Sequence, residues 1–320
     1  MTVEQIHAAA ERLNGHARIT PILTSPFLDD LAGRRVHVKA EPLQRTGSFK
    51  FRGAWSALTA LPKGTRGVLA YSSGNHAQGV AMAAERLDMP AVIVMPLDAP
   101  ALKIANTRAL GAEVVLYDRA RGENREEIGA ALARERGLAL VRPYDDPEVI
   151  AGQGTVGLEL ARQLPGDVSG DVLVCCGGGG LSAGIALALE AERPALRVRT
   201  VEPEGFDDMA RSLSSGRIER NAAVGGSVCD AILTPAPGEL TFPILKGRAG
   251  PGLSVSDDEA MHAVALAFLR LKLVCEPGGA VALAAALFRR DLIEGDAVTV
   301  IASGGNVDPR TFSRALERLA

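Results

Sequence analysis

Aromatic side chains are scarce in this chain: Phe, Tyr and Trp together make up 4% of its 320 residues, while 47% of residues are apolar. That excess of aliphatic side chains suits helices packed on parallel strands and argues against an aromatic-rich β-sandwich. Long runs of Lys and Arg are missing too, and the formal net charge is only −3. No nucleic acid and no membrane surface is therefore expected as a partner. No stretch approaches the ~20 apolar residues that cross a bilayer. The opening MTVEQIHAAAERL reads as an amphipathic helix rather than a secretion signal. The four cysteines, Cys175, Cys176, Cys229 and Cys275, form no C-x-x-C pair, so neither a zinc site nor a disulfide framework is indicated. They read as small buried hydrophobes in a reducing compartment, and a cytoplasmic protein is the expectation.

What is present has a clear rhythm. The length exceeds what one hydrophobic core usually serves, so two domains are expected. Apolar runs at 36–40, 68–71, 91–95, 113–117, 172–176, 198–201 and 297–302 read as strands. They alternate with amphipathic stretches at 76–87, 101–110, 125–136, 149–162, 182–192, 257–273 and 280–289. Several strand candidates are apolar at consecutive positions, as strands covered on both faces are. This predicts an α/β fold of βαβ units with mostly parallel sheets. Ligands in such folds bind at the carboxyl ends of strands. Three turns rich in Gly, Ser and Asn stand there: SSGNH at 72–76, CGGGGLS at 176–182 and SGGN at 303–306. The Gly- and Pro-rich stretch 221–252 is predicted to be the least regular part.

Two of these features point to a specific chemistry. Gly177, Gly178, Gly179 and Gly180 lie between a strand and a helix, where successive backbone N–H groups and the helix amino terminus converge on an anion. A flexible turn is the plainer alternative. Neither G-x-x-x-x-G-K-S/T nor an early G-x-G-x-x-G occurs, so a nucleoside-triphosphate or dinucleotide fold lacks its signature. In TGSFKFRGA, Lys50 stands between Phe49 and Phe51 where a helix begins. A lysine in apolar surroundings has a lowered pKa and can attack an aldehyde as a neutral amine; a surface lysine is the plainer alternative. Together, a phosphate nest, an aromatic-flanked lysine and polar loops at other strand ends are what pyridoxal 5'-phosphate (PLP) requires.

At this point the chain resembles the fold-type II PLP enzymes, the family with the tryptophan synthase β-like fold. The segments SFKFRGA, SSGNHAQG, AGQGT, GGGGL, EPGGA and SGGNVD match in order its threonine/serine dehydratase and serine racemase branch, from about His16 to the end. The resemblance implies that Lys50 forms the Schiff base and later takes the α-proton. Phe49 would pack on the cofactor ring, Asn75 would bond its hydroxyl, and Gly177–Gly180 with Leu181 would hold its phosphate. Ser303 would meet the pyridine nitrogen. Ser72, Ser73, Gly74 and Asn75, with His76 steadying their loop, would bind the substrate carboxylate, and Tyr144 would lie near the substrate side chain. Arg142 stands where a histidine is usual. Ser73 matches the opposite-face base of racemases, Glu276 faces the cofactor region in relatives, and Glu202, Phe206 and Asp208 match a divalent cation site suited to Mg²⁺ or Ca²⁺.

A neutral Ser303 hydroxyl cannot hold the pyridine nitrogen protonated as a carboxylate would. The ring is then a weaker electron sink, which suits prompt loss of a β-leaving group better than transamination. The expected reaction is deaminating dehydration of a small 3-hydroxy-amino acid, L-threonine and/or L-serine, to a 2-oxo acid and ammonia. Serine racemase, a 3-hydroxyaspartate dehydratase and a non-catalytic PLP-binding protein remain alternatives. The resemblance further implies a larger domain of residues 1–66 and 145–320, a smaller mobile one of residues 67–144, a homodimer, and no regulatory domain after SGGNVD.

Overall fold

The computed structural model describes residues 1–99, 101–223 and 225–319, without the side chains of residues 102 and 119. Its described strands, in chain order, are β1 (Ile22–Leu23), β2 (Arg35–Ala40), β3 (Val68–Tyr71), β4 (Ala91–Pro96), β5 (Glu113–Tyr117), β6 (Ala139–Leu140), β7 (Gly170–Cys175), β8 (Leu196–Pro203), β9 (Leu253–Val255) and β10 (Ala297–Ala302). They form two sheets, ordered β1-β2-β10-β7-β8-β9 and β5-β4-β3-β6. Every pairing is parallel except β1 with β2. The expected α/β fold with mostly parallel sheets is therefore what the chain adopts.

Burial explains the apolar runs. Every residue of β10 and β4 is buried, because helices cover both faces of each sheet. One face of the larger sheet carries the helix Pro277–Phe288, PGGAVALAAALF, which is buried along its length except at Phe288. A helix apolar all round has to sit inside the protein. The other face carries the helices Pro147–Gln163 and Gly180–Glu192. These two approach so closely that a Cβ on Gly184 would meet the backbone of Ile150 and Gly154. That approach sets where the amino terminus of the helix Gly180–Glu192 points.

The structure differs from the sequence reading where elements are short or a helix ends early. β1, β6 and β9 span only two or three residues, too few to show a period. The stretch predicted as one helix over 257–273 is helical over Asp257–Leu266. It then widens into a π turn at Ala267–Leu271 and stops at Lys272, whose φ is 57°. The apolar pattern continues through the turn, so periodicity alone cannot show where it leaves the α-helical register. The irregular segment 221–252 contains the short helix Thr241–Lys246.

One buried cluster carries charge through the core. Arg52 makes a two-pronged bond to Glu41 (2.9 and 2.8 Å) and bonds Glu159 at 2.6 Å. Lys39 joins Glu159 at 2.5 Å. Arg52, Glu41 and Lys39 are almost fully buried. Burial raises the Glu41 carboxyl, but the Arg52 charge and hydrogen bonds, the Lys39 charge and the Thr20 hydroxyl together outweigh it and hold the group below its ordinary value. The quartet is neutral and ties β2, the helix Lys50–Thr59 and the helix Pro147–Gln163 together. Removing one member leaves a buried charge uncompensated, which costs about 3–5 kcal/mol. Arg52→Ala is expected to lower the urea unfolding midpoint by a corresponding amount; an unchanged midpoint would show that water already screens the cluster.

Candidate functional site

The three turns singled out in the sequence follow β3, β7 and β10. β10 pairs directly with β7, so the SGGN turn and the glycine turn are neighbours. The TGS turn before Lys50 joins them through a bridge between Ser48 and Gly304, and the Phe49 N–H donates to the Ser303 carbonyl at 3.2 Å. The SSGNH turn comes from the smaller sheet and reaches across, with Asn75 bonded to Glu276 and Asn306. The motifs scattered from 46 to 306 are thus brought to one cleft.

Lys50 opens the helix Lys50–Thr59. Its Nζ donates to the Pro143 carbonyl at 2.6 Å and lies 5.1 Å from the Phe49 ring centroid. Burial lowers its ammonium to about 8, with the Glu276 charge working the other way. A useful fraction of the amine is therefore neutral near physiological pH. Glu276 is buried, and burial pushes its carboxyl up to about 7 against the Asn75 N–H bond. His76 donates from Nε2 to the Val141 carbonyl at 3.0 Å, and burial drives its pKa down to about 3. It stays a neutral imidazole that fixes its loop, which removes it as an acid at neutral pH.

The glycine turn is a cradle with no room for side chains. Gly179 sits at φ 93° as the N-cap of the helix Gly180–Glu192. A Cβ on Gly178 would overlap the Tyr144 ring, and one on Gly180 would press on Gln153 Oε1. The first N–H groups of that helix have no intrahelical acceptor and face outward for an anion. Beside Lys50 and this turn, Gln153 Oε1 and Ser48 Oγ are buried without a partner. A buried polar atom left unpaired costs free energy unless something else satisfies it. PLP brings a phosphate, an aldehyde and a polar ring, and the nest, the depressed lysine and these orphaned oxygens fit it.

Glu202 and Asp208 stand apart, at the end of β8 and the start of the helix Asp208–Ser215. Both Glu202 oxygens accept backbone N–H groups, from Met209 (2.9 Å) and Ala210 (2.8 Å). Burial and then Asp208 push Glu202 far above its ordinary value, and burial raises Asp208 to about 6. Asp208 Oδ2 has no partner. Phe206 is buried between them in sequence. No group of three or more His, Cys, Asp or Glu is assembled for a metal among the described residues.

Residues without a sequence-assigned role also enter the site. Arg125 begins the helix Arg125–Arg136, and its guanidinium carbon lies 5.9 Å from the Tyr71 ring centroid, one residue before Ser72. Burial and then the Glu126 charge raise the Tyr71 hydroxyl, with Arg142 and Arg125 working the other way, and burial and then Asp145 raise Tyr144 against Arg125. No local pattern marks Arg125, because only the folding of the smaller sheet brings it to the cleft. Asn306, in contrast, lies within the SGGN turn.

Comparison with known proteins agrees with this geometry. A family model described as pyridoxal-phosphate dependent enzyme matches residues 13–304. An L-threo-3-hydroxyaspartate ammonia-lyase from Pseudomonas sp. is 45% identical over 311 residues, 97% of this chain and 96% of its own length. A serine racemase from Schizosaccharomyces pombe is 38% identical over 320 residues, covering 99% and 98%. A crystal structure of a T.th. threonine deaminase superposes with a TM-score of 0.91 at 48% identity, covering 96% of this chain and 99% of that one.

The lysine can be tested in the apoprotein. The rate at which a visible band develops on adding PLP is expected to climb about tenfold per pH unit and level off near the Lys50 pKa of about 8. Lys50→Ala should give no band at any pH. A rate still climbing at pH 10 would place the lysine at its ordinary value and remove this reading of the site.

Proposed function

The chain belongs to the pyridoxal-phosphate dependent enzymes, in the branch of ammonia-lyases and racemases, and from that premise we propose that it is a 3-hydroxyaspartate ammonia-lyase. The observation that carries this reading is Arg125, whose guanidinium lies 5.9 Å from the ring of Tyr71, the residue before the Ser72 loop. Its Nε bonds Glu126 at 3.3 Å, a partner that it would exchange for a substrate carboxylate. L-Serine and L-threonine offer a cation nothing to hold on their side chain, whereas 3-hydroxyaspartate offers a second carboxylate. Two relatives named L-threo-3-hydroxyaspartate ammonia-lyase, at 45% and 42% identity, support the same choice. The substrate thus moves from L-threonine or L-serine, expected from the motifs, to the dicarboxylate.

When bound, PLP supplies an aldehyde that captures the substrate amine and a ring that acidifies the α C–H. The residues of the chain do the rest. The glycine turn and Leu181 hold the phosphate, Phe49 packs on the ring, and Ser303 meets the ring nitrogen with a neutral hydroxyl. The Ser72–Asn75 backbone and hydroxyls take the α-carboxylate at the start of the helix Asn75–Arg86. Lys50 Nζ removes the α-proton, the 3-hydroxyl leaves as water, and the enamine released hydrolyses to oxaloacetate and ammonia. Arg125 draws the 3-carboxylate toward the smaller sheet, and Tyr144 flanks it. In this reading the two sheets correspond to a larger domain, residues 1–66 and 145–320, and a smaller one, residues 67–144.

A divalent cation at Glu202 and Asp208 belongs to the same proposal. Two buried carboxyls that burial raises, with Asp208 adding to the shift of Glu202 and its Oδ2 unpartnered, gain from a cation. EDTA is expected to lower the urea midpoint of the native protein, with Mg²⁺ or Ca²⁺ restoring it. Asp208→Asn should abolish that response while PLP still binds. Indifference of the native protein to EDTA would assign the two carboxyls to capping the helix alone.

The substrate is tested by 2-oxo acid release from PLP-loaded protein over L-threo-3-hydroxyaspartate, L-threonine, L-serine and D-serine. The hydroxyaspartate should react fastest. Arg125→Ala should cut its kcat/KM about 10- to 100-fold, as expected for one charged hydrogen bond, and change that for L-serine by less than about threefold. Faster release from L-threonine or L-serine would return the substrate to those amino acids. Inversion of serine without oxo acid would make the protein a racemase, and no turnover at all would make it a binding protein.

A further inference from the structure

Asn75 is joined to two other motifs by a relay of side-chain amides. The Asn306 Nδ2 group donates to the Thr46 carbonyl at 2.7 Å and to Asn75 Oδ1 at 2.6 Å. The Asn75 Nδ2 group donates to Glu276 Oε1 at 2.5 Å. The order of donors in this chain is forced from one end. A backbone carbonyl only accepts, so the Asn306 atom facing Thr46 must be the nitrogen. Both of its hydrogens are then used, and the Asn75 atom facing it must be the oxygen. The Asn75 nitrogen is left facing the Glu276 carboxyl, with one N–H still to give.

The backbone is built to hold that relay. Thr46 has φ 59°, a left-handed conformation that non-glycine residues rarely adopt. Gly47 follows at φ 73°, and a Cβ there would press on Asn306 Oδ1. The Gly305 N–H donates to the Gly47 carbonyl at 2.9 Å, and Ser48 bridges Gly304. Two turns are thereby zipped together so that a strained carbonyl meets one amide.

We propose that Asn306 is a positioning residue that orients the Asn75 amide so that an N–H, and not the carbonyl, faces the bound cofactor. The inference rests on the reading of Asn75 as the contact to the ring oxygen. Its consequence is that the oxygen is met by a donor, which favours its ionised form. Glu276 takes the other hydrogen of the same nitrogen and so completes the orientation.

Asn306→Asp reverses the relay, because a carboxylate cannot donate to Asn75 and would instead attract its N–H. Apoprotein titrated with PLP reports the result through the visible band and through quenching of Trp55, the single tryptophan. Asn306→Asp is expected to weaken PLP binding about tenfold or more. Asn75→Ala should weaken it as well. In the double variant, adding Asn306→Asp to Asn75→Ala should weaken binding by less than a further factor of about three, because its effect passes through Asn75. A purely structural role would instead lower the apoprotein urea midpoint and multiply fully with Asn75→Ala. Unaltered PLP affinity in Asn306→Asp, or full multiplication, overturns the proposal. Unaltered affinity in Asn75→Ala overturns the Asn75 assignment beneath it. If the aspartate prevents folding, Asn306→Ser is read by the same cycle.

Discussion

The placement of Lys50 depends on a charge cluster buried in the core. Arg52, two residues on, is almost fully buried and is bonded to Glu41 and Glu159, with Lys39 closing the set. Four charges taken out of water hold their place only when each has its partner at the right distance. That requirement fixes three elements at once: β2, the helix that Lys50 opens and the long helix Pro147–Gln163. The lysine amine then emerges beside the Pro143 carbonyl in a low-dielectric pocket, where burial lowers it to about 8. A structural ion network and a reactive amine thus stand on the same first turn of one helix.

The cleft is built by contrast between sites that accept an anion and sites that tune a proton. Glycines are required in the turn after β7 because a Cβ at Gly178 or Gly180 would collide with Tyr144 or Gln153. Across the cleft, burial divides the titrating groups. His76 is held neutral, while Glu276 is raised to about 7. The smaller sheet leads into the Ser72–Asn75 loop and the helix that Arg125 opens, and the helix that begins at Lys50 packs its Phe51, Ala54 and Leu58 against that same sheet.

Much of this was legible in the residues. Consecutive apolar runs gave β3 and β10 at their observed bounds, since strands buried on both faces leave an unbroken pattern; β5 kept the same apolar run although only Tyr117 is fully buried in it. The SSGNH, glycine and SGGN turns stood where parallel sheets bind ligands. The π turn at Ala267–Leu271 was not legible, because the sequence stays apolar through it while the hydrogen-bond register changes. β1, β6 and β9 were hidden by their length.

The sequence by itself determined the chemistry available: a lysine set among aromatic side chains, a glycine run after a strand and neutral Ser303 at the end of another. These are local properties, written in neighbouring residues. Only the tertiary structure decided which distant groups act together. It brought Asn306 to Asn75, Arg125 to Tyr71 and Arg52 to Glu159. Such pairings carry no local period, because they arise from sheet order and helix packing, and a pattern read along the chain contains neither.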